Sequence, residues 1–182
     1  MQANGFQVVE DDRLGRTFTE TGASYMGFAV SSVPASALTS KPFFALAYTG
    51  DGSFTMNPQI LIDGVEHGAY GPILIFDNRR MGAISGLQQA QYENEHATND
   101  GVQVDYVAWA KAFHGVKVFG PIYSTHQLQT ALEDAYTRGG LSVIYVPVYH
   151  GPDELAGLGA FGRWNVGNWT ESTQSLRHDI GL

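Results

Sequence analysis

At 182 residues, with 10 Lys and Arg against 18 Asp and Glu, the chain has the size of one ordinary domain and a formal net charge of −8. The lack of cysteine excludes structural disulfides and thiolate-ligated zinc. So few basic residues leave no stripe that could neutralise phosphodiesters, which argues against a nucleic-acid partner. Charged residues make up 15% of the chain and hydrophobic ones 43%, against roughly 25% charged in soluble domains generally. Much of the surface is therefore expected to be uncharged or covered by an interface. Apolar runs such as Ile73–Phe76 and Val143–Val148 fall far short of the roughly 20 residues that span a bilayer. No basic start followed by an apolar segment opens the sequence, so no membrane partner and a cytoplasmic location are expected.

In chain order, residues 1–20 offer only Phe6–Val9 as a strand and are expected to form an N-terminal segment. Residues 21–150 carry the domain. There, apolar runs of strand length alternate with stretches of helical period, the pattern of parallel β-α-β construction. The spacing predicts buried strands over Phe43–Thr49, Ile73–Asp77, Val116–Phe119 and Leu141–Val148, in a sheet covered on both faces. Helices are predicted over Phe54–His67 and over Val104–Phe113, the latter with Val104, Val107, Ala108 and Ala112 on one stripe. Ser124–Arg138 reads as a third, with Ser124 and Gln127 in capping-box spacing and Gly139 as its stop. Gln88–Val102 is polar and aperiodic, either an ordinary solvated connection or a mobile loop over a ligand. Residues 151–182 are Gly-rich and aromatic and should pack on the domain or on a partner. The fold expected is α/β, a three-layer α/β/α arrangement with a mainly parallel sheet.

Gly50-Asp51-Gly52-Ser53 closes the first predicted strand and Asp77-Asn78 closes the next. Both then lie at the carboxyl edge, where open parallel sheets bind ligands. A carboxylate, an amide oxygen and a nearby carbonyl form a hard-oxygen set suited to Mg²⁺ with phosphate oxygens. The amides of Gly52 and Ser53, opening a helix, would favour an anion on that metal. Taken singly, each motif reads as an ordinary β-α turn.

Together, with 24 residues from Ser53 to Phe76 between Gly52 and Asp77, the two motifs resemble the fingerprint of thiamine diphosphate (ThDP) enzymes. Gly22-Ala23-Ser24-Tyr25-Met26-Gly27-Phe28 resembles that family's Gly-x-x-x-Met-Gly-Phe/Tyr segment. The resemblance covers about Thr21–Val148, the diphosphate-binding (PP) module of the ThDP-binding fold. It implies a cofactor site of Ser24, Tyr25, Met26, Gly50, Asp51, Gly52, Ser53, Asn78, Arg80, Met81 and Gly82. In that set Asp51, the side chain of Asn78 and the main-chain oxygen of Arg80 are Mg²⁺ ligands. Gly52 and Ser53 hold the diphosphate, Met26 lies beneath the bent cofactor, and the carbonyl of Ser24 receives its amino group. The cofactor carries the chemistry and the protein fixes its shape. Pro34 departs from the family, falling inside the helix that should follow Met26.

The resemblance further implies a catalytic glutamate from a separate pyrimidine-binding (PYR) domain, which this sequence lacks. The chain is then a subunit of a split enzyme or a portion of a longer chain, working as a dimer or heterotetramer. Phe76-Asp77-Asn78 with Gly82, Ile84, Leu87 and Gln88 resembles the hydrolases of inositol breakdown that open trihydroxycyclohexane-1,2-dione. Acetohydroxyacid synthases are next most similar but carry tryptophan where this chain has Leu87. The implied reaction breaks or forms a C–C bond next to a carbonyl, as a cyclic-diketone hydrolase. The alternatives are an acetolactate synthase-like carboligase or 2-oxo acid decarboxylase subunit, acting on an oxo acid, and a noncatalytic regulatory module. A Rossmann nucleotide site would need a third glycine that Gly50-Asp51-Gly52 lacks. Of the six histidines, His96 in the polar stretch and His150 after a strand are the candidates for proton transfer.

Overall fold

The computed structural model describes residues 11–19, 25–98 and 101–148. The strand expected at Phe6–Val9, Ser24, His150 and the tail 151–182 lie outside them. Their elements in chain order are α1 (Phe28–Ala37), β1 (Ala47–Gly50), α2 (Asp51–Phe54), α3 (Ile60–Glu66), β2 (Gly71–Asp77), α4 (Gly82–Tyr92), α5 (Tyr106–Lys111), β3 (Lys117–Phe119), α6 (Thr125–Arg138) and β4 (Leu141–Pro147). Among the described residues they fall into two compact units: those up to 79 and those over 102–148 form one, and those over 80–101 belong to the other.

The first unit is built on a parallel sheet of order β1-β2-β4-β3. Strands pleat, so alternate residues face opposite sides. Ile73, Ile75 and Val143 point to one face, where they pack with Val30 and Val33 of α1, Phe54 of α2, Leu61 of α3, and Tyr106 and Ala110 of α5. Leu74, Ile144 and Val146 point to the other, against Ala131 and Ala135 of α6. Both faces being covered explains the near-continuous apolar strands. This is the expected three-layer α/β/α arrangement.

Several boundaries differ from expectation for local reasons. The first strand is shorter, Ala47–Gly50. The helix expected over Phe54–His67 is shorter, Ile60–Glu66, with Phe54 ending the separate α2, because Pro58 has no N–H to donate and disfavours helical backbone at Asn57. In α5 the buried residues are Tyr106 and Ala110, while Ala108 and Ala112 are exposed, so the predicted stripe was rotated. The large rings of Tyr106 and Trp109 decide that orientation, each meeting Phe54 edge-on at 6.0 and 5.8 Å. Asp105 caps this helix by accepting from the Ala108 N–H at 2.8 Å. The expected cap of α6 is present, the Ser124 hydroxyl accepting from the Gln127 N–H at 3.2 Å. Pro34 lies inside α1 and is buried, beneath Gly64 of α3.

Gly71, which opens β2 at φ +139°, has room for nothing larger: an added Cβ would stand 1.8 Å from the Ala45 carbonyl oxygen. Gly68, at φ +68°, faces open space. Gly71→Ala is expected to cost about 3 kcal/mol or more, combining backbone strain with the clash, and Gly68→Ala about 1 kcal/mol from strain alone. Urea unfolding midpoints in that order would bear this out, and equal midpoints would contradict it.

Candidate cofactor site

The parallel register sets the site. Gly50 pairs with Phe76, so Asp51 and Asp77 stand at one level and Asn78 one residue beyond. Asp51 opens α2 and is only 3% exposed. Since α2 is a single turn of four residues, its dipole is small and anion recognition would rest on individual amides. Asp51, Gly52, Ser53 and Asn78 thus gather at the carboxyl ends of two adjacent strands, as expected.

Asp77 and Asn78 serve differently, which their adjacency does not reveal. Asp77 is 5% exposed. Its Oδ1 accepts from the Arg79 N–H at 2.9 Å and its Oδ2 from the Tyr145 hydroxyl at 2.8 Å. The first contact is an Asx-type turn, which lets Arg79 hold a left-handed φ of +50°. Burial, then the Asp77 carboxylate, raises the Tyr145 pKa well above its ordinary value, with Tyr123 and Asp51 adding to the effect. Tyr145 stays a protonated donor. Its signal in the sequence was one phenol within a largely apolar strand.

The Met26 segment is tied to the Gly-Asp-Gly turn by the Ser53 hydroxyl, which accepts from the Gly27 N–H at 2.8 Å. Ser53 therefore braces the neighbouring segment. Gly27 has φ +94°, and a Cβ there would stand 2.7 Å from the Asn57 side-chain oxygen. Glycine is thus required beside Met26. Tyr25 and Met26 are exposed at 67% and 38%, a large apolar surface next to the site.

Arg80, Met81, Gly82 and His96 lie in the second unit. Helix α4 runs to Tyr92, so the polar stretch beginning at Gln88 is helical in its first part. The segment after it makes hydrogen bonds within the second unit. The Met81 N–H donates to the Thr98 carbonyl at 2.7 Å, and the His96 N–H to the Gln88 side chain at 2.7 Å. The Arg80 guanidinium pairs with Glu95 and donates to the Ser85 hydroxyl at 2.9 Å, which itself donates to Thr98 at 2.7 Å. Sequence reasoning missed this network because its members are separated by a helix. His67, His96, His114 and His126 are all exposed.

Whether a magnesium diphosphate fits can be judged from the first unit's own groups. A buried carboxylate and an amide stand on adjacent strand ends, and the Nε of Arg79, beside Asn78, is buried without a hydrogen-bond partner. Beyond Gly50 an added Cβ would meet nothing within 4 Å. A hard-oxygen set, a donor in need of an acceptor and open space suit the group. No cluster of three or more His, Cys, Asp or Glu that could hold a metal ion occurs among the described residues.

The raised Tyr145 pKa has a testable consequence. Between pH 10 and the folded-state value, the unfolded chain loses the phenolic proton and the folded one keeps it, so stability falls as pH rises above about 10. Tyr145→Phe is expected to lack this part of the alkaline loss, as chemical unfolding at pH 8 and pH 10.5 would record. An identical pH dependence in both proteins would contradict it.

The family pattern of the thiamine pyrophosphate enzyme C-terminal TPP-binding domain matches residues 1–146. The chain is 32% identical over 155 residues to the 3D-(3,5/4)-trihydroxycyclohexane-1,2-dione hydrolase of Listeria monocytogenes serotype 4b (strain F2365), covering 81% of this chain and 24% of that protein. It is 33% identical over 135 residues to the enzyme of that name from Bacillus subtilis (strain 168), covering 71% and 21%. The chain thus spans about a quarter of the length of these relatives. Among solved structures, benzoylformate decarboxylase from Polynucleobacter necessarius matches with a TM-score of 0.60 at 24% identity, over 71% of this chain and 25% of that one, a likeness of fold. Among the described residues no helix is long and apolar enough to cross a membrane. By the family match over residues 1–146, the chain belongs to the thiamine pyrophosphate enzymes, as their C-terminal TPP-binding domain.

Proposed function

We propose that residues 21–150 are the diphosphate- and Mg²⁺-binding part of an enzyme that opens a cyclic diketone by cleaving the C–C bond beside a carbonyl. The observation that carries this reading is the placing of Asp51 and Asn78 on adjacent strand ends, within a chain whose relatives act on trihydroxycyclohexane-1,2-dione. Asp51 and the Asn78 amide oxygen would hold the metal with one negative charge between them. A Mg²⁺ so ligated keeps net positive charge for the diphosphate, which an acidic protein could not otherwise attract. When bound, thiamine diphosphate supplies the electron sink that makes such a bond breakable.

The chain's own residues fix the geometry of that group. Gly52 and Ser53 present amides to the diphosphate. Met26, braced through Gly27 and Ser53, would offer an apolar surface against which the cofactor is held and from which water is excluded. The glutamate expected of the PYR domain comes from the part of the protein beyond these residues or from a partner subunit, and the exposed Tyr25 and Met26 are where that domain closes over the cofactor. Residues 1–20 and 151–182 flank the module.

Calorimetric titration of ThDP with Mg²⁺ tests the reading. The unsubstituted chain is expected to bind, and Asp51→Ala to bind at least roughly 100-fold more weakly, since losing a direct ligand should cost no less than losing an outer partner. Cleavage of a cyclic diketone should appear only when a PYR domain is present. Equal binding by both proteins would overturn the assignment of the metal site.

A further inference from the structure

We propose that Asp77 and Tyr145 form a positioning pair that holds Asn78 in the conformation needed to ligate the metal; this rests on the cofactor reading above. Asp77 sits next to the proposed ligand and is itself a carboxylate, yet it is almost wholly buried and each of its oxygens is engaged within the protein. It faces the side of the sheet occupied by Ile73 and Ile75, because residues 73, 75 and 77 alternate with those facing α6. A carboxylate so placed acts as a brace rather than a ligand.

What it braces is a strained turn. Arg79 is not glycine and holds φ +50°, a conformation that costs about 1 kcal/mol and persists where the surroundings over-determine it. The Arg79 N–H to Asp77 hydrogen bond supplies that determination, and Asn78 lies between its two ends. If Arg79 relaxed, the Asn78 side chain would swing with it. Asp77 is fixed from behind by Tyr145, two residues from the end of β4 and opposite Ile75 in register.

Tyr145 is fixed in turn by its ring. It packs on Tyr106 at 5.6 Å between centroids, and Tyr106 meets Phe54 at 6.0 Å. Phe54 is fully buried and closes the helix that Asp51 opens. One chain of aromatic contacts and hydrogen bonds therefore runs from α2 through α5 and β4 to the Asn78 turn. The two elements that carry the side-chain ligands are set by a common scaffold behind the site.

The test uses the full chain, ThDP and Mn²⁺ in place of Mg²⁺, with free Mn²⁺ read by electron paramagnetic resonance and folding followed by thermal melts. Asp77→Ala is expected to weaken Mn²⁺ uptake about 10- to 100-fold, as loss of an outer-shell partner does. Asp77→Asn should restore uptake to within about threefold, because its side-chain oxygen still accepts from the Arg79 N–H and its amide can pair with Tyr145. Tyr145→Phe keeps the ring packing and should weaken uptake about 3- to 10-fold, which serves if Asp77→Ala does not fold. Folded Asp77→Ala or Tyr145→Phe protein with native Mn²⁺ affinity would overturn the positioning role while leaving the cofactor reading intact. A native chain that takes up no Mn²⁺ with ThDP would overturn both.

Discussion

The parallel register between β1 and β2 is the constraint on which the rest depends. With Gly50 opposite Phe76, one carboxylate and one amide reach the same edge of the sheet. A slip of one residue would turn every apolar side chain of β2 to the other face. Ile73 and Ile75 would leave the side of α1, α2 and α3, and Leu74 would leave that of α6. The core that stabilises the sheet and the spacing that makes the site are therefore one requirement. Burial on both faces locks the register, and the locked register aligns the ligands.

Charge follows the same economy. The domain is acidic, and the function proposed for it handles an anion. No basic cluster is needed if a divalent cation stands between the protein and the diphosphate. The protein then has to supply oxygens at fixed positions rather than positive charge. Fixing them is the work of uncharged groups: the Ser53 hydroxyl on Gly27, the Tyr145 hydroxyl on Asp77, and rings packed edge to face behind both. Low charge content and abundant aromatic residues are two sides of that solution.

The alternation of apolar and helical stretches was legible because both faces of the sheet are covered, and the turn motifs were legible because they are contiguous. The placing of Asp51 against Asn78 followed from strand order alone. What escaped was long-range and polar. Nothing local marks Tyr145 as the partner of Asp77, 68 residues earlier, or Glu95 as the partner of Arg80 across a helix. The stripe on α5 was misjudged because small alanines carry the helical period there, while packing is decided by the largest rings. The stretch after Gln88 looked unstructured for a related reason: hydrogen bonds hold it, and polar residues leave no periodic trace.

Crystals grown with ThDP and Mn²⁺ give the most direct measurement of the central claim, through the anomalous scattering of the metal. The expected result is one strong peak within about 2.0–2.6 Å of both an Asp51 carboxylate oxygen and the Asn78 amide oxygen, the span of hard-cation to oxygen distances. A peak on Asp77 in place of Asn78, or ordered ThDP with its metal away from Asp51, would contradict it.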